Sequence, residues 1–246
     1  MREFTYFYIL LCSVSICFIA SFDKRIQFYK HFGAYIKAAI IVAVPFIAWD
    51  VWFAAHGVWW FNKDYTLGFN LGGLPIEEWL FFICIPFPCI FTYYCFEKFF
   101  KLKRTYAFNN IIVFVGVIVF TVIALLHYNK IYTFATALAT TLALIYFHFI
   151  ARIKWITKAS LVFSILMLGF FPVNGILTGT GLESPIVNYN PADFLGIRIL
   201  TIPIEDFVYG YTQFLLVLYF FKFFQKAARR NQKNKWVSTM ASVELN

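Results

Sequence analysis

The sequence predicts an all-α integral membrane protein: a seven-helix bundle of two parallel three-helix repeats, joined by one further span. Three observations lead to this prediction. Of the 246 residues, 61% are hydrophobic and only 13% are charged, which is about half the charged fraction of a soluble domain. The apolar residues form long runs. Two segments with the same polar pattern lie 128 positions apart.

Seven apolar runs are long enough to cross a bilayer, which takes about 20 residues in a helix. The predicted spans cover residues 4–22, 33–55, 75–96, 107–127, 131–150, 159–178 and 201–221. The first run is kept as a span because the sequence at its end, CFIASFDK, is a poor signal-peptide cleavage site. The five cysteines lie in or beside these runs without Cys-x-x-Cys spacing, so we expect packing groups rather than disulfides or a metal site.

The positively charged residues predict the orientation of the spans. The segments after spans one, three, five and seven hold sixteen of the 21 Lys and Arg residues, and the opposite side holds Arg2, Lys63, Lys130 and Arg198. Lys37, at the start of span two, can extend its side chain to the basic side. Cytoplasmic loops carry such an excess, so we expect a protein of the cytoplasmic membrane with its N-terminus outside. The net charge of +9 then reflects topology and lipid contact rather than nucleic-acid binding.

An internal repeat relates the first three spans to the last three. The aligned positions, at an offset of 128, are Pro75, Glu77 and Glu78 with Pro203, Glu205 and Asp206, and Phe61-Asn62 with Tyr189-Asn190. We expect a first repeat at residues 1–104, a joining span at 105–128, a second repeat at 129–226 and a basic cytoplasmic tail at 227–246. Four crossings return the chain to its starting side. Both repeats should therefore point the same way, related by a pseudo-two-fold axis along the membrane normal.

Each repeat places two adjacent acids in the predicted first turn of its third span, two and three residues after a proline that suits the same turn. Helix N-termini favour proline and acidic residues, so simple capping is one interpretation. Capping needs only one acid or hydroxyl, however, whereas the pair occurs twice in a very apolar chain. Two neighbouring carboxyl groups in a medium of low dielectric cannot both ionise cheaply, so one is expected to stay protonated beside a carboxylate. Consecutive residues lie about 100° apart on a helix, so one acid of each pair should face the bundle interior while the other bonds a neighbour.

Other polar and aromatic residues are predicted at the same depth. Asp50, near the outer end of span two, should lie close to the first acid pair, and Asn174 of span six close to the second. Asn62 and Asn190 lie in Gly- and aromatic-rich outer loops that can fold back over the acids, and they are either site residues or turn formers. The aromatic candidates are Trp49, Trp52, Trp59, Trp60, Trp79 and Tyr209, for which a membrane-interface belt is the alternative.

A protonated carboxyl group in an apolar, aromatic-rich cavity can protonate an alkene. The resulting carbocation must be kept from water, and aromatic faces stabilise it. A neighbouring carboxylate can then remove a proton, so two similar groups act as acid and base.

At these residues the sequence resembles the membrane-integral lycopene cyclases. These occur as two small subunits in some actinobacteria and as the cyclase half of fungal bifunctional cyclase–phytoene synthases. That family carries a Pro-x-Glu-(Glu/Asp) motif in each of two three-span domains, and here the motif reads PIEE at 75–78 and PIED at 203–206. The runs WDVW…GVWWFN and PVNG…VNYN also resemble the segments that precede the family's motifs. The resemblance covers roughly residues 1–226, and the chain looks like both domains fused in one polypeptide, without an attached synthase.

The resemblance implies a lycopene β-cyclase, an isomerase of the intramolecular-lyase type. A linear ψ-end of lycopene is protonated at its terminal double bond, the next double bond closes a six-membered ring, and proton loss gives a β-ionone end. One ring gives γ-carotene and two give β-carotene. The implied donor and acceptor groups are Glu77, Glu78, Glu205 and Asp206. The implied substrate-binding or supporting residues are Asp50, Asn174, Asn62, Asn190, Pro75, Pro203, Trp60 and Tyr209.

The resemblance also implies the partners: lycopene, γ-carotene, the lipid bilayer and other enzymes of the carotenoid pathway. No cofactor is expected. Soluble-type lycopene cyclases carry a dinucleotide-binding fingerprint, and none of the twelve glycines here forms Gly-x-Gly-x-x-Gly before a helix.

Two other classes of membrane protein share some of these features. A proton-coupled transporter of a small hydrophobic substrate also suits parallel repeats and intramembrane acids, although these acids lie near one face rather than the midplane. A retinal-binding seven-span protein needs a lysine inside the last span, and Lys222 falls at its cytoplasmic end. A metal enzyme is disfavoured because His31, His56, His127 and His148 lack ligand spacing.

Overall fold

A computed structural model describes residues 2–100 and 108–243 of the chain. Within these residues the chain forms eight α-helices. They are α1 Thr5–Ala20, α2 Phe32–Ala55, α3 Ile76–Cys84, α4 Pro86–Phe99, α5 Asn109–Leu126, α6 Ile131–Ile145, α7 Ile156–Leu177 and α8 Ile204–Val243. The predicted basic residues Lys101, Lys103 and Arg104, and the end of the tail at 244–246, lie outside the described residues.

Seven stretches of the described chain are long and apolar enough to cross a membrane. They are Arg2–Ala20, Phe28–Ala55, Ile76–Phe99, Asn109–Leu126, Ile131–Ile150, Ile156–Leu177 and Ile204–Arg230. Each one overlaps a predicted span and differs from it by a few residues at the ends, except at the end of the last. The prediction of an all-helical, multi-pass membrane protein is confirmed.

The structure departs from the predicted spans in two places. The third span consists of two helices, α3 and α4, which meet at Ile85. Pro86 follows directly and has no backbone N–H to continue the hydrogen-bond ladder of α3. The last helix continues past residue 221 to Val243, because the basic segment after the span is rich in Lys, Arg, Gln and Ala and contains no Gly or Pro.

The core of the bundle forms where α2 packs along α8. Further contacts join α8 to α6 and α4, α4 to α7, and α3 to α1 and α2. Phe28 is fully buried in this core and makes ring contacts with Phe87, Phe91 and Phe221. By contrast, α5 packs mainly on α6 and exposes a row of large apolar side chains, which in a membrane protein face lipid. The row includes Ile111, Phe114, Ile118, Val122 and Leu125.

Three small antiparallel strand pairs lie in the loops after α2 and α7. They are β1 Trp59–Phe61 with β4 Val187–Tyr189, β2 Asn70–Leu71 with β3 Leu74–Pro75, and β5 Arg198–Ile199 with β6 Ile202–Pro203. The first pair joins the two loops, with Trp59 opposite Tyr189, Trp60 opposite Asn188 and Phe61 opposite Val187. The second and third pairs are hairpins that lead directly into α3 and α8.

Further backbone hydrogen bonds extend the pair of β1 and β4 at both ends. The Asn62 N–H donates to the Ile186 carbonyl at 2.8 Å, and the Asn190 N–H donates to the Val58 carbonyl at 2.9 Å. Backbone hydrogen bonds therefore join the two loops over the end of the bundle at which α3 and α8 begin.

The strand register predicts a specific cross-link. Cysteines replacing Trp60 and Asn188, in a chain whose five native cysteines are changed to alanine, should form a disulfide under mild oxidation. Opposed residues of an antiparallel pair have Cα atoms about 5 Å apart, within disulfide range. A mobility shift on a non-reducing gel measures the bond. Trp60→Cys with Asn70→Cys is the control, because Asn70 belongs to a different strand pair. No shift in the first variant, or equal shifts in both, would contradict the register.

Candidate active site

Glu78 and Asp206 line one cavity, although they begin different helices. The hairpin of β2 and β3 places Glu78 in the first turn of α3, and the hairpin of β5 and β6 places Asp206 in the first turn of α8. Both side chains are buried. Side chains from α1, α2, α3, α4, α6, α7 and α8 line the cavity, and Trp59, Phe61 and Tyr189 from the paired loops also line it.

Glu78 belongs to a pair of carboxyl groups. The Tyr6 hydroxyl donates to Glu78 Oε2 at 2.5 Å, and the buried Asp50 carboxyl group lies beside that of Glu78 in the same cavity. The Tyr209 hydroxyl donates to Asp50 Oδ1 at 3.0 Å. Two neighbouring carboxyl groups buried in a medium of low dielectric cannot both ionise cheaply, so we expect one of the two to keep its proton.

Asp206 has a different environment, because three donors surround it. Tyr132 donates to Oδ1 at 2.6 Å, and Asn174 Nδ2 and the Tyr189 hydroxyl each donate to Oδ2 at 2.8 Å. Burial and the charge of Asp206 raise the pKa of Tyr189 well above its usual value, so this loop hydroxyl keeps its proton and can donate. Donors of this kind favour an ionised carboxylate. Asp206 thus has the partners of a base.

The structure brings Asp50 and Asn174 to the acid pairs, as the sequence predicts. Their side chains have different functional groups. Asp50 contributes a second carboxyl group to Glu78, whereas Asn174 contributes an amide N–H to Asp206. This difference separates two otherwise similar halves of the cavity.

Glu77 and Glu205 are also buried, but they bind the loops that precede their helices. The Leu67 N–H donates to Glu77 Oε1 at 2.6 Å. The Leu195 N–H and the Thr133 hydroxyl donate to Glu205 Oε1 at 2.8 and 2.6 Å. Neither glutamate lines the cavity that holds Glu78 and Asp206. The expected rotation of about 100° between neighbours thus places one acid of each pair in the cavity and the other on a loop.

The predicted prolines and asparagines shape the loops. Pro75 and Pro203 stand one residue before α3 and α8, in β3 and β6, rather than within the first turn. The extended backbone of Pro75, with φ −64° and ψ 149°, suits the hairpin that ends there. Asn62 Oδ1 accepts from the Asp64 N–H at 3.0 Å, and Asn190 Oδ1 accepts from the Ala192 N–H at 3.1 Å, so both are turn formers.

The aromatic candidates divide between the cavity and the surface. Trp59 and Tyr209 line the cavity, and Trp49 packs against Tyr209 with ring centres 5.3 Å apart. Trp52 and Trp60 are about half exposed, at 47% and 48%. A further tryptophan, Trp79, is partly exposed and donates from Nε1 to the Leu71 carbonyl at 3.0 Å.

The sequence reasoning missed several cavity residues. Tyr6 and Tyr132 donate to Glu78 and Asp206 from the outer ends of the first and fifth spans, and a search for polar aromatics at that depth finds both. Phe81 and Phe170 also line the cavity, but in a chain with 33 Phe nothing in the sequence distinguishes them from lipid-facing side chains. Gln213 lines it too, and a polar amide inside an apolar span is a signal that identifies it.

A comparison with protein families finds a match that covers both acid pairs. The profile of the family described as Lycopene cyclase matches residues 3–96 and 129–224, about three quarters of the chain. Each matched segment contains one acid pair, consistent with duplicated domains. No curated protein and no solved structure shows significant similarity to the chain.

Proposed function

The chain belongs to the lycopene cyclase family, and on that premise we propose that it is a lycopene β-cyclase that converts both ψ-ends of lycopene to β-ionone rings. One observation carries the proposal: a single cavity holds two neighbouring carboxyl groups, Asp50 and Glu78, and also Asp206, which accepts hydrogen bonds from three donors. Protonating and deprotonating a hydrocarbon requires both an acid and a base. Asp50 and Glu78 form the acid, and Asp206 is the base.

The reaction balances within the cavity. The proton of the Asp50–Glu78 pair forms a C–H bond at the terminal trisubstituted double bond and leaves a tertiary carbocation. The electrons of the next double bond form the ring C–C bond, so that the positive charge moves to the ring. Asp206 then removes a ring proton, and those C–H electrons become the ring double bond. One proton enters and one leaves, so no oxidant or reductant takes part.

The other cavity residues support the cation. Trp59 and Tyr209 present aromatic faces from the loop and from α8, which stabilise positive charge. The remaining lining is mostly apolar, so it excludes water that would trap the cation. Glu77 and Glu205 hold the preceding loops in place through Leu67 and Leu195. Of the four acids in the two motifs, Glu78 and Asp206 therefore react, and Glu77 and Glu205 hold the loops in place.

One shared cavity implies that the two ends of lycopene react in turn. The first ring gives γ-carotene, which must leave and return with its other end foremost to become β-carotene. The bilayer holds substrate, intermediate and product, and the enzymes that make lycopene or use β-carotene are proposed partners in the same membrane.

We further propose that the two family segments form parallel repeats around a pseudo-two-fold axis. The register of β1 and β4 supports this, because it is symmetric about Trp60 and Asn188. The loop contacts at Glu77 and Glu205 also both span ten residues. The repeats take the predicted bounds, 1–104 and 129–226, with the joining span at 105–128 and the tail at 227–246. The distribution of Lys and Arg supports a cytoplasmic-membrane location with the cavity toward the outer face.

Removing either reactive group should abolish ring formation. In a lycopene-producing bacterium, the native chain should yield β-carotene. Glu78→Gln and Asp206→Asn should each leave lycopene, because loss of a general acid or base costs about 10²–10⁴-fold in rate. Pigment chromatography, with membrane insertion checked by immunoblot, measures the outcome. Glu77→Gln is the matched comparison: it keeps an oxygen for the Leu67 N–H and should lose far less activity. If either cavity variant forms the first ring at the native rate and stops at γ-carotene, the single shared site is wrong.

The proton of the acid pair depends on Asp50. Asp50→Asn replaces a carboxyl with an amide and reproduces the arrangement of Asn174 with Asp206, so Glu78 should become ionised and cyclisation should fall about 100-fold or more. Tyr209→Phe removes a donor to Asp50 but leaves both carboxyl groups, so it should lose less. Initial rates with purified protein and lycopene in detergent compare the two. Equal losses, or a fully active Asp50→Asn variant, would overturn the assignment of the acid.

A further inference from the structure

The end of the bundle opposite the cavity contains a cationic pocket. It lies where the end of α4, the start of α7 and the later turns of α8 meet. Its lining residues are Tyr94, Glu97, Lys98, Lys158, Gln225 and Arg229. This pocket shares no residue with the reactive cavity and takes no part in the proposed cyclisation.

Positive charge exceeds negative charge in the pocket. Glu97 is the only carboxylate among its described lining residues. Glu97 Oε1 accepts from Lys222 at 2.7 Å and from Lys158 at 3.4 Å, so one carboxylate serves two ammonium groups. Lys98 and Arg229 add two further charges. The pocket therefore carries a net positive charge.

Lys158 is the strongest indication of a missing partner. Lys158 is only 8% exposed. Glu97 Oε1 lies closer to the Nζ of Lys222, at 2.7 Å, than to that of Lys158, at 3.4 Å. Lys158 and Lys222 both approach the Tyr93 ring, with Nζ 5.8 and 4.9 Å from its centre. An aromatic face helps a cation, but it adds no negative charge. A buried ammonium group that shares its counter-ion is costly, and a second anion would lower that cost.

The position of the pocket identifies the class of anion. It lies where the candidate spans Ile76–Phe99 and Ile204–Arg230 end and Ile156–Leu177 begins, on the side predicted to face the cytoplasm. Lipid head groups are expected at such span ends. Phe99 and Phe223 directly follow Lys98 and Lys222 in the chain and are more than half exposed, so acyl chains have apolar surface beside the charges. Basic pockets between membrane helices on this side bind the phosphate groups of anionic lipids.

We propose that this pocket binds the phosphodiester of an anionic glycerophospholipid. Lys98, Lys158 and Arg229 donate hydrogen bonds to the phosphate oxygens, and Glu97 keeps Lys222 turned away from them. The bound lipid ties α4, α7 and α8 together at the end of the bundle away from the cavity.

Thermal unfolding of the full chain in detergent tests this site. Added phosphatidylglycerol should raise the unfolding temperature by several degrees, and phosphatidylcholine should not. Inorganic phosphate at the same concentration is a separate arm, and an equal rise with it would overturn a lipid ligand in favour of free phosphate. Native mass spectrometry should show phosphatidylglycerol retained at a stoichiometry of about one.

Two variants and one control distinguish the pocket from general surface charge. The double variant Lys98→Gln with Arg229→Gln and the single variant Lys158→Gln should each lose the rise and the retained lipid. Lys24→Gln with Arg25→Gln removes two charges from the same predicted side without touching the pocket and should keep both. Equal loss in pocket and control variants, or full retention in both pocket variants, would overturn the proposal.

Discussion

The rest of the structure depends on the burial of three carboxyl groups in one cavity. Asp50, Glu78 and Asp206 lie together among apolar and aromatic side chains, where unpaired charges are costly. The cost is limited by hydrogen bonds: tyrosine hydroxyls reach all three groups, and each group has at least one further polar partner. The hairpins before α3 and α8 start both helices at the same end of the bundle, so that their first-turn acids reach one cavity. The paired loops of β1 and β4 cover that cavity. Much of the outer half of the molecule serves this arrangement.

The two halves of the cavity have similar residues but differ at one polar position, and the proposed mechanism assigns them different roles. Both halves present an acid in the first turn of a helix, a tyrosine donor and a polar residue from the neighbouring span. The polar residue is a carboxyl group at position 50 and an amide at position 174. A carboxyl partner requires a shared proton, whereas an amide partner donates one of its own hydrogens. In the proposed mechanism, the exchange of one oxygen for one NH₂ group separates the acid from the base.

Much of this could be predicted from the sequence because the bilayer restricts the fold so strongly. Apolar length predicts the spans, and the doubled motif identifies the helix ends that carry the acids. Asp50 and Asn174 could be placed near those acids because adjacent spans meet at the same face. The separation of Glu77 from Glu78 was predicted only in general terms, since the rotation of α3 decides which of them enters the cavity. The pairing of β1 with β4 involves three residues a side, too few for any periodic signal. The break at Ile85 depends on Pro86, and the extension of α8 depends on a basic segment without Gly or Pro. A hydropathy profile averaged over a long window detects neither feature.

Infrared spectroscopy of the purified protein tests the central claim most directly, since the carbonyl stretch of a protonated carboxylic acid is distinct from the bands of a carboxylate. At neutral pH the native chain should show a buried protonated-acid band that disappears in Asp50→Asn and persists in Asp206→Asn. Its absence from the native protein, or its loss in Asp206→Asn with retention in Asp50→Asn, would contradict the assignment of a shared proton to the Asp50–Glu78 pair.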